Sequence, residues 1–457
     1  MSNHIHIVGA GPGGLLLAKE LANAGISVTV YEEKSKEDLC TGHNWSDAMD
    51  IGVLRNAGLP IPEPMGNRFV GPGVKSHGAT ADGLYEPHRI TELPFYTSNY
   101  SAKTATEADF HNVLTDRRTL AAEQLEQTLA AGATILFEHK AVALRGQLEG
   151  EIHKLCVTGL IVQKENETLE IESDLVVDAT GGAGVLRQMI KNGAIGRPLA
   201  DAELWQAYHT VRSCRKTLPG ETTPPFRDLY RLIYPNGYSW IHFHDEDVVG
   251  IGAAVLLKGS AVSAKEVAAE MADALPQVNK EELRGGGGVA INGMPLDSMV
   301  TNGFMVIGNA AFQSNPSNSC GIGAAMEGAL LASQVIKGAK RFDIASLWEY
   351  NHKWLTGTGA HYAAIAPRGG DMSPQLAELL LGHGFMNGEL LTNKCLGNYS
   401  HNNIHNSPAL KQLWDAVPQF MEQWEKGEAY DEYIFRKYLD YPKTWDADTF
   451  AQWCAQP

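Results

Sequence analysis

The sequence predicts an α/β protein in three parts. These are a Rossmann-like nucleotide-binding domain built from separated segments, an inserted mainly β domain, and a helical C-terminal region. Three observations predict this. A strand, a glycine turn, a helix and a second strand follow one another within the first 32 residues. Two later strand-then-small-residue segments, around 174–187 and 303–332, have the same local grammar. Between them, residues 200–295 carry several strand-like stretches of a different character.

The first unit is specific. Residues 4–8 (HIHIV) read as a short strand, and Gly9-Ala10-Gly11-Pro12-Gly13-Gly14 follows. Residues 15–21 have the apolar spacing of a helix. Gly25 ends that helix, residues 26–31 alternate as a strand, and Glu32 and Glu33 stand at its end. Gly9 permits the tight turn, Gly11 lets a pyrophosphate approach the backbone, and Gly14 lets helix and strand pack closely. The helix N-terminus offers free N–H groups and a partial positive charge to phosphates. Glu32 can accept hydrogen bonds from a ribose hydroxyl. The motif alone does not separate the flavin from the nicotinamide dinucleotide.

The rest of the chain is read in order. Residues 35–115 are rich in Gly, Pro, Asn and Ser and read as inserted loops and short strands. Asp116-Arg117-Arg118 opens a helix over 119–131, closed by Gly132, and a strand follows at 134–137. Meander-like segments at 140–146 and 153–163 lead to a buried-looking strand at 174–179 and then Thr180-Gly181-Gly182. Strands are expected at 230–233, 238–243 and 248–255, and a helix at 265–275. The four glycines at 285–288 follow no clear strand and are read as a place of close backbone packing. A strand at 304–307, Gly308-Asn309-Ala310-Ala311, and a long helix at 321–337 close the nucleotide-binding part. Beyond about 343 the pattern is mostly helical, with tryptophans at 348, 354, 414, 424, 445 and 453. These are read as packing helices onto the core, with a partner-docking surface as the alternative.

Composition sets the outer limits. With 457 residues, 44% hydrophobic and 20% charged, the chain is an ordinary globular one with room for a large core. A net charge of −16 argues against nucleic-acid binding, which needs clustered Lys and Arg. No apolar run approaches the roughly 20 residues of a membrane span. Residues 1–4 lack the basic start of a secretory signal. A cytoplasmic location is therefore expected, and peripheral membrane contact stays open. The six cysteines are scattered, with no paired spacing for a disulfide framework or zinc site.

Taken together, the turn at 9–14, the segment 174–187 (DLVVDATGGAGVLR) and the segment 303–332 resemble the FAD-dependent oxidoreductases of the para-hydroxybenzoate hydroxylase-like fold. That group carries Gly-Asp-Ala-Ala, then a proline, then Gly-x-Gly opening a helix. Here the match is Gly308-Asn309-Ala310-Ala311, Pro316, and Ser319-Cys320-Gly321-Ile322. Asn309 replaces the usual Asp, and Ser319 the usual Gly. The resemblance implies FAD, with Gly9, Gly11, Pro12, Gly13, Gly14, Glu32, Glu33, Arg117, Gly181, Gly308, Asn309, Pro316, Cys320, Gly321 and Ile322 at the cofactor. It implies an α/β fold with a discontinuous Rossmann-like FAD-binding domain at 1–190 and 285–340, carrying inserted loops at about 40–110. A substrate sheet at 191–284 and a helical region at 341–457 complete the expected layout.

Within this superfamily the chain resembles the geranylgeranyl reductase family. Cys40-Thr41-Gly42, Asp116-Arg117, Asn236-Gly237-Tyr238-Ser239-Trp240 and Met294-Pro295-Leu296 carry that likeness. His242 and Phe243 replace the end of the family's Tyr-x-Trp-x-Phe-Pro motif, and His43-Asn44-Trp45 lengthens the Cys40 segment. Cys40 and His43 are the candidate catalytic residues. Tyr238, Trp240 and His242 share one strand face by the period-two rule and are the candidate substrate contacts. The resemblance implies a reductase of carbon–carbon double bonds on a small apolar or aromatic substrate. A monooxygenase using oxygen at flavin C4a is the alternative. A flavoprotein serving a protein partner in electron transfer or maturation is a third reading. No second complete fingerprint is present, so NAD(P)H would visit transiently or a donor protein would supply electrons.

Overall fold

The computed structural model describes residues 4–41, 46–60, 73–78, 86–93, 112–215, 228–232, 237–245, 247–273, 275, 278–314, 316, 319, 321–366 and 433–456. Its first layer is a six-stranded sheet. In spatial order the strands are Val300–Thr301, Phe304–Val306, Leu175–Asp178, His4–Val8, Ser27–Glu32 and Thr134–Phe137. All pairs are parallel except the first, which is antiparallel. Central parallel strands are covered on both faces and so read as apolar runs rather than alternations. Leu175, Val176 and Val177 are fully buried, as are Ile5 and Ile7.

Helix Pro12–Asn23 crosses from the first strand to the second. Pro12 takes its first position, where the missing N–H removes a donor that has no intrahelical partner anyway. Leu15, Leu16, Leu17 and Leu21 point into the core. Helix Ile322–Gly338 lies against this helix and buries Met326, Ala329 and Ala332. Helix Arg117–Ala130 packs beside both the first helix and the short helix Lys36–Thr41. It begins where Asp116 accepts a hydrogen bond from the Arg118 backbone N–H at 2.9 Å, a normal N-cap. An antiparallel meander of Lys140–Gln147, Cys156–Lys164 and Glu167–Glu172 packs on Leu175–Asp178 through its middle strand.

The second layer is a four-stranded antiparallel sheet in the order Gly237–Asp245, Val248–Leu256, Leu204–Cys214 and Val278–Ile291. Helix Ala264–Asp273 covers one of its faces, burying Val267, Ala268 and Met271. Here the structure departs from the sequence reading. The glycines at 285–288 lie inside the strand Val278–Ile291, opposite 207–210 of the central strand. Four glycines have no strand propensity of their own, but cross-strand pairing overrides that. A side chain at 285 would collide with Glu282 and Tyr208. This sheet therefore runs to Ile291, past the boundary expected at 284. Strand Gly73–Gly78 pairs in parallel with Asp228–Leu232 and antiparallel with Glu86–Leu93, so part of the 40–110 insertion forms a separate three-stranded sheet whose Asp228–Leu232 strand lies beside Gly237–Asp245.

The C-terminal region is helical over Ile344–Thr356, Thr358–Ile365 and Ala447–Cys454. Trp348 is its hub. Its ring lies 5.4 Å from Tyr441, 4.8 Å from Trp445 and 5.2 Å from Phe450, and its Nε1–H donates to the Pro442 carbonyl at 2.8 Å. Trp354 and Trp453 are buried as well. These tryptophans pack helices onto the core; positions 414 and 424 fall outside the described residues. Among the described residues, no helix is long and apolar enough to cross a membrane.

One buried base sits in the first sheet. His6 is 6% exposed, its ring stacked 4.4 Å from His4, with Nδ1 3.1 Å from the Tyr31 hydroxyl. Burial, helped by the His4 charge, pushes its pKa down to about 4. The unfolded chain therefore takes up a proton near pH 6.5 while the folded one does not. Stability falls as pH drops from about 6.5 to about 4 and flattens below, by on the order of 3 kcal/mol. Urea midpoints across that range check this: His6→Gln should lose most of that slope.

Candidate functional site: an FAD cradle beside a glycine-floored sheet

The carboxyl ends of the parallel strands converge on one edge, where open α/β sheets bind ligands. Gly9 follows the first strand at φ +104°, and a Cβ there would collide with the Ala179 carbonyl. A Cβ at Gly14 would strike the Gly9 carbonyl, and one at Gly13 would sit 3.1 Å from the Ala325 oxygen. These three glycines are consumed by protein packing. Gly11 is different: a Cβ there would meet nothing within 4 Å. It caps helix Pro12–Asn23, whose N-terminus has no side-chain cap. The open space and free N–H groups fit a pyrophosphate.

Glu32 is buried at the end of its strand. Its Oε2 accepts from the Ala10 N–H at 2.8 Å and its Oε1 from the Lys34 N–H at 2.9 Å. Each oxygen keeps a lone pair for a ribose hydroxyl. Glu33 does not join it: its exposed carboxylate pairs with Lys140 at 3.4 Å. Successive strand residues point to opposite sides, so two neighbouring acids could not both face the turn.

The second motif is organised by Asp178, which sequence reasoning did not single out. Asp178 is fully buried. Its Oδ1 accepts from the Thr180 N–H at 3.0 Å and hydroxyl at 2.6 Å. Its Oδ2 accepts from the Leu186 and Arg187 N–H groups at 3.1 and 2.8 Å. This sets Gly181 at φ +68°, with open space where a side chain would be. The turn it opens packs against the turn Gly308–Ala311 of the third motif. Gly308 takes φ +65°, and its N–H donates to Gln313 Oε1 at 2.6 Å. Asn309 lies against Gly321, where a Cβ would overlap its amide. Ile322 begins the helix, Pro316 is buried, and Cys320 lies outside the described residues. Asn309 Oδ1 and Ser319 Oγ are buried without a protein partner. Both atoms fit a ligand that carries hydroxyl and carbonyl groups, as FAD does.

The candidate substrate residues lie on the sheet face opposite helix Ala264–Asp273. Register sets positions 238, 240 and 242 on this face, together with Gly250, Gly252, Ala254, His209, Gly286 and Gly288. The Trp240 indole lies over Gly252, leaving no room for a Cβ. The ring of fully buried His209, which sequence reasoning missed, stands 6.3 Å from it and nearly parallel. Of Tyr238 and His242 only the backbone is described. The glycines leave a floor without side chains beside an aromatic wall.

Two links bring this face to the cofactor edge. Arg284 Nη2 meets Asp116 Oδ2 at 3.3 Å, and Ser314 donates to the Ile291 carbonyl at 2.6 Å. Burial would raise the Asp116 pKa, but hydrogen bonds from Arg118 and the charges of Arg284 and Arg118 outweigh it and hold it at about 2. The link is thus ionic at any ordinary pH. Arg117, half-buried, begins the same helix. Cys40 lies half-buried against the core on helix Lys36–Thr41, and His43 falls outside the described residues.

Comparison with known proteins agrees with this geometry. Residues 3–206 match the FAD binding domain family. Those residues form an FAD-binding domain, and the chain has the fold of the para-hydroxybenzoate hydroxylase-like group. Within that class it is similar to the geranylgeranyl reductases. A digeranylgeranylglycerophospholipid reductase of Methanothrix thermoacetophila is 24% identical over 362 residues, 78% of this chain and 84% of that one. A geranylgeranyl bacteriochlorophyll reductase-like structure from Thermoplasma acidophilum superposes with a TM-score of 0.67 at 15% identity, covering 93% and 99% of the two chains. Aklavinone-11 hydroxylase, solved with FAD and aklavinone, gives 0.57 at 16% identity, covering 83% and 71%.

Two substitutions separate the roles of the glycines. Gly11→Val should leave the apoprotein folded, since its side chain enters open space, yet abolish FAD retention. Gly14→Ala should lower the apoprotein melting temperature by several degrees, because the backbone must shift. Purified flavin content and thermal melts check both; a Gly11→Val protein with full flavin content contradicts the phosphate placement.

Proposed function

We propose that this flavoprotein reduces carbon–carbon double bonds of an apolar, isoprenoid-like substrate. The observation that carries the reading is the sheet face walled by Trp240 and floored by Gly250, Gly252, Gly286 and Gly288. With no side chains at Gly250, Gly286 and Gly288, a thin apolar chain would lie against the backbone beside Trp240. The likeness to digeranylgeranylglycerophospholipid reductase, which spans 78% of this chain, supports the same chemistry.

Bound FAD supplies hydride transfer. The chain's own residues bind, orient and exclude water. The N-terminus of helix Pro12–Asn23 and the backbone at Gly11 take the pyrophosphate, and Glu32 takes the ribose. Gly181, Gly308, Asn309 and Gly321 bed the rest. Positions 238 and 242 extend the Trp240 wall. Cys40 is the proposed proton donor to the second carbon, with His43 as its alternative. A thiol gives up a proton readily enough for this role only if it reaches the olefin. Electrons come from NAD(P)H on a brief visit or from a donor protein. The chain works in the cytoplasm, with peripheral contact to the membrane that holds a lipid substrate.

The first test is anaerobic photoreduction followed by one of two additions. A geranylgeranyl lipid without oxygen should reoxidise the flavin and gain two hydrogens per bond, read by mass spectrometry. Oxygen alone should reoxidise it slowly. No saturation of the lipid, together with an oxygen atom in an aromatic or olefinic probe, would instead make the chain a monooxygenase. Reduced flavin that persists until a protein acceptor is added would favour the partner-dependent reading. Cys40→Ala should slow olefin reduction by about a hundredfold or more while leaving photoreduction unchanged; an unchanged turnover number removes Cys40 from the reaction.

A further inference from the structure

Folded proteins rarely leave a buried polar atom unpaired, because each one costs about 1–3 kcal/mol. Asn309 Oδ1 and Ser319 Oγ are two such atoms in the third motif, the first lying against Gly321 and the second two residues before it in sequence. Gly321 caps helix Ile322–Gly338, which has no side-chain cap and no acidic residue in its first turn. Ser319 also sits at φ +58°, a conformation that glycine takes freely and serine does not. A strained serine with an unanswered hydroxyl is a residue held for that hydroxyl.

We propose that Asn309 and Ser319 form an uncharged hydrogen-bonding pair that grips the flavin end of FAD and raises its reduction potential. Asn309 Oδ1 needs a donor, which the ribityl hydroxyls provide. The Ser319 hydroxyl donates to the ring's carbonyl and nitrogen acceptors. Reduction adds negative charge to the ring. An amide, a hydroxyl and the positive end of a helix favour that charge, whereas a carboxylate at 309 would oppose it. The pair thus makes the cofactor easier to load with electrons. The inference rests on FAD being bound and not on the substrate, so its test uses none.

The experiment is a spectroelectrochemical titration of the FAD-loaded protein, with FAD dissociation constants measured alongside. Asn309→Asp should shift the two-electron equilibrium at least tenfold toward oxidised flavin, about 30 mV. Asn309→Ser, which stays neutral, should remain within tenfold of the unsubstituted protein. Equal shifts in both variants overturn the charge argument. Ser319→Ala and Ser319→Gly both delete the hydroxyl, but only the glycine relieves the backbone. Both should weaken FAD binding roughly tenfold, while the Ser319→Gly apoprotein melts at a higher temperature than Ser319→Ala. If Ser319→Gly binds FAD as tightly as the unsubstituted protein, the hydroxyl does not touch the flavin and the pair is refuted.

Discussion

The site depends on one buried carboxylate. Asp178 ends the strand Leu175–Asp178 in the middle of the parallel sheet and is sealed from water. An unpaired charge there would be ruinous, but four donors from the following ten residues answer it. That satisfaction folds the second motif into one shape. Its neighbours take their positions from it on both sides. The Ala179 N–H donates to the Val8 carbonyl at 2.9 Å, and the Ala179 carbonyl leaves space at position 9 only for glycine. The Ile307 N–H donates to the Asp178 carbonyl at 2.9 Å and so sets the start of the Gly308 turn. Three motifs far apart in sequence meet because a single residue holds the centre.

Among the described residues, polar contacts at Arg284 and Ser314 join the second sheet to this centre. Arg284 reaches Asp116 from the edge strand, while Ile291 at the end of that strand lies against Gly182 and Ser314. The ion pair is partly buried, with side-chain exposures of 19% and 26%, so salt screens it less than a surface pair. It ties the edge strand of the second sheet to the start of helix Arg117–Ala130.

Much of this was legible in the sequence, for local reasons. The unit at 4–32 combines turn chemistry, helix spacing and strand alternation in one stretch, so each signal supports the next. The strand at 134–137 and the helix near 265 were readable in the same way. The strand Leu204–Cys214 was not, because it is central in its sheet and its buried residues do not alternate cleanly. The glycines at 285–288 carry no strand signal and make sense only opposite Tyr208 and His209. Arg284 and Asp116 are separated by 168 residues, and nothing in either neighbourhood announces the other. Glu33 was misplaced for a simpler reason: it adjoins the residue that does face the turn.

The aromatic hub around Trp348 bears on how the protein is made. Tyr441 donates its hydroxyl to the Asp297 carbonyl at 2.7 Å, and Asn351 of the hub's helix accepts from the Met299 N–H at 2.9 Å. The segment that leads into the third motif is therefore braced from behind by residues near the C-terminus. During synthesis the glycine turn at 9–14 emerges well before Tyr441, Trp445 and Phe450, which complete this brace. A nascent chain can offer a phosphate site long before it can offer a firm bed for the flavin ring. A firm flavin bed therefore depends on the docking of helix Ala447–Cys454 and the residues before it, far in sequence from the phosphate turn.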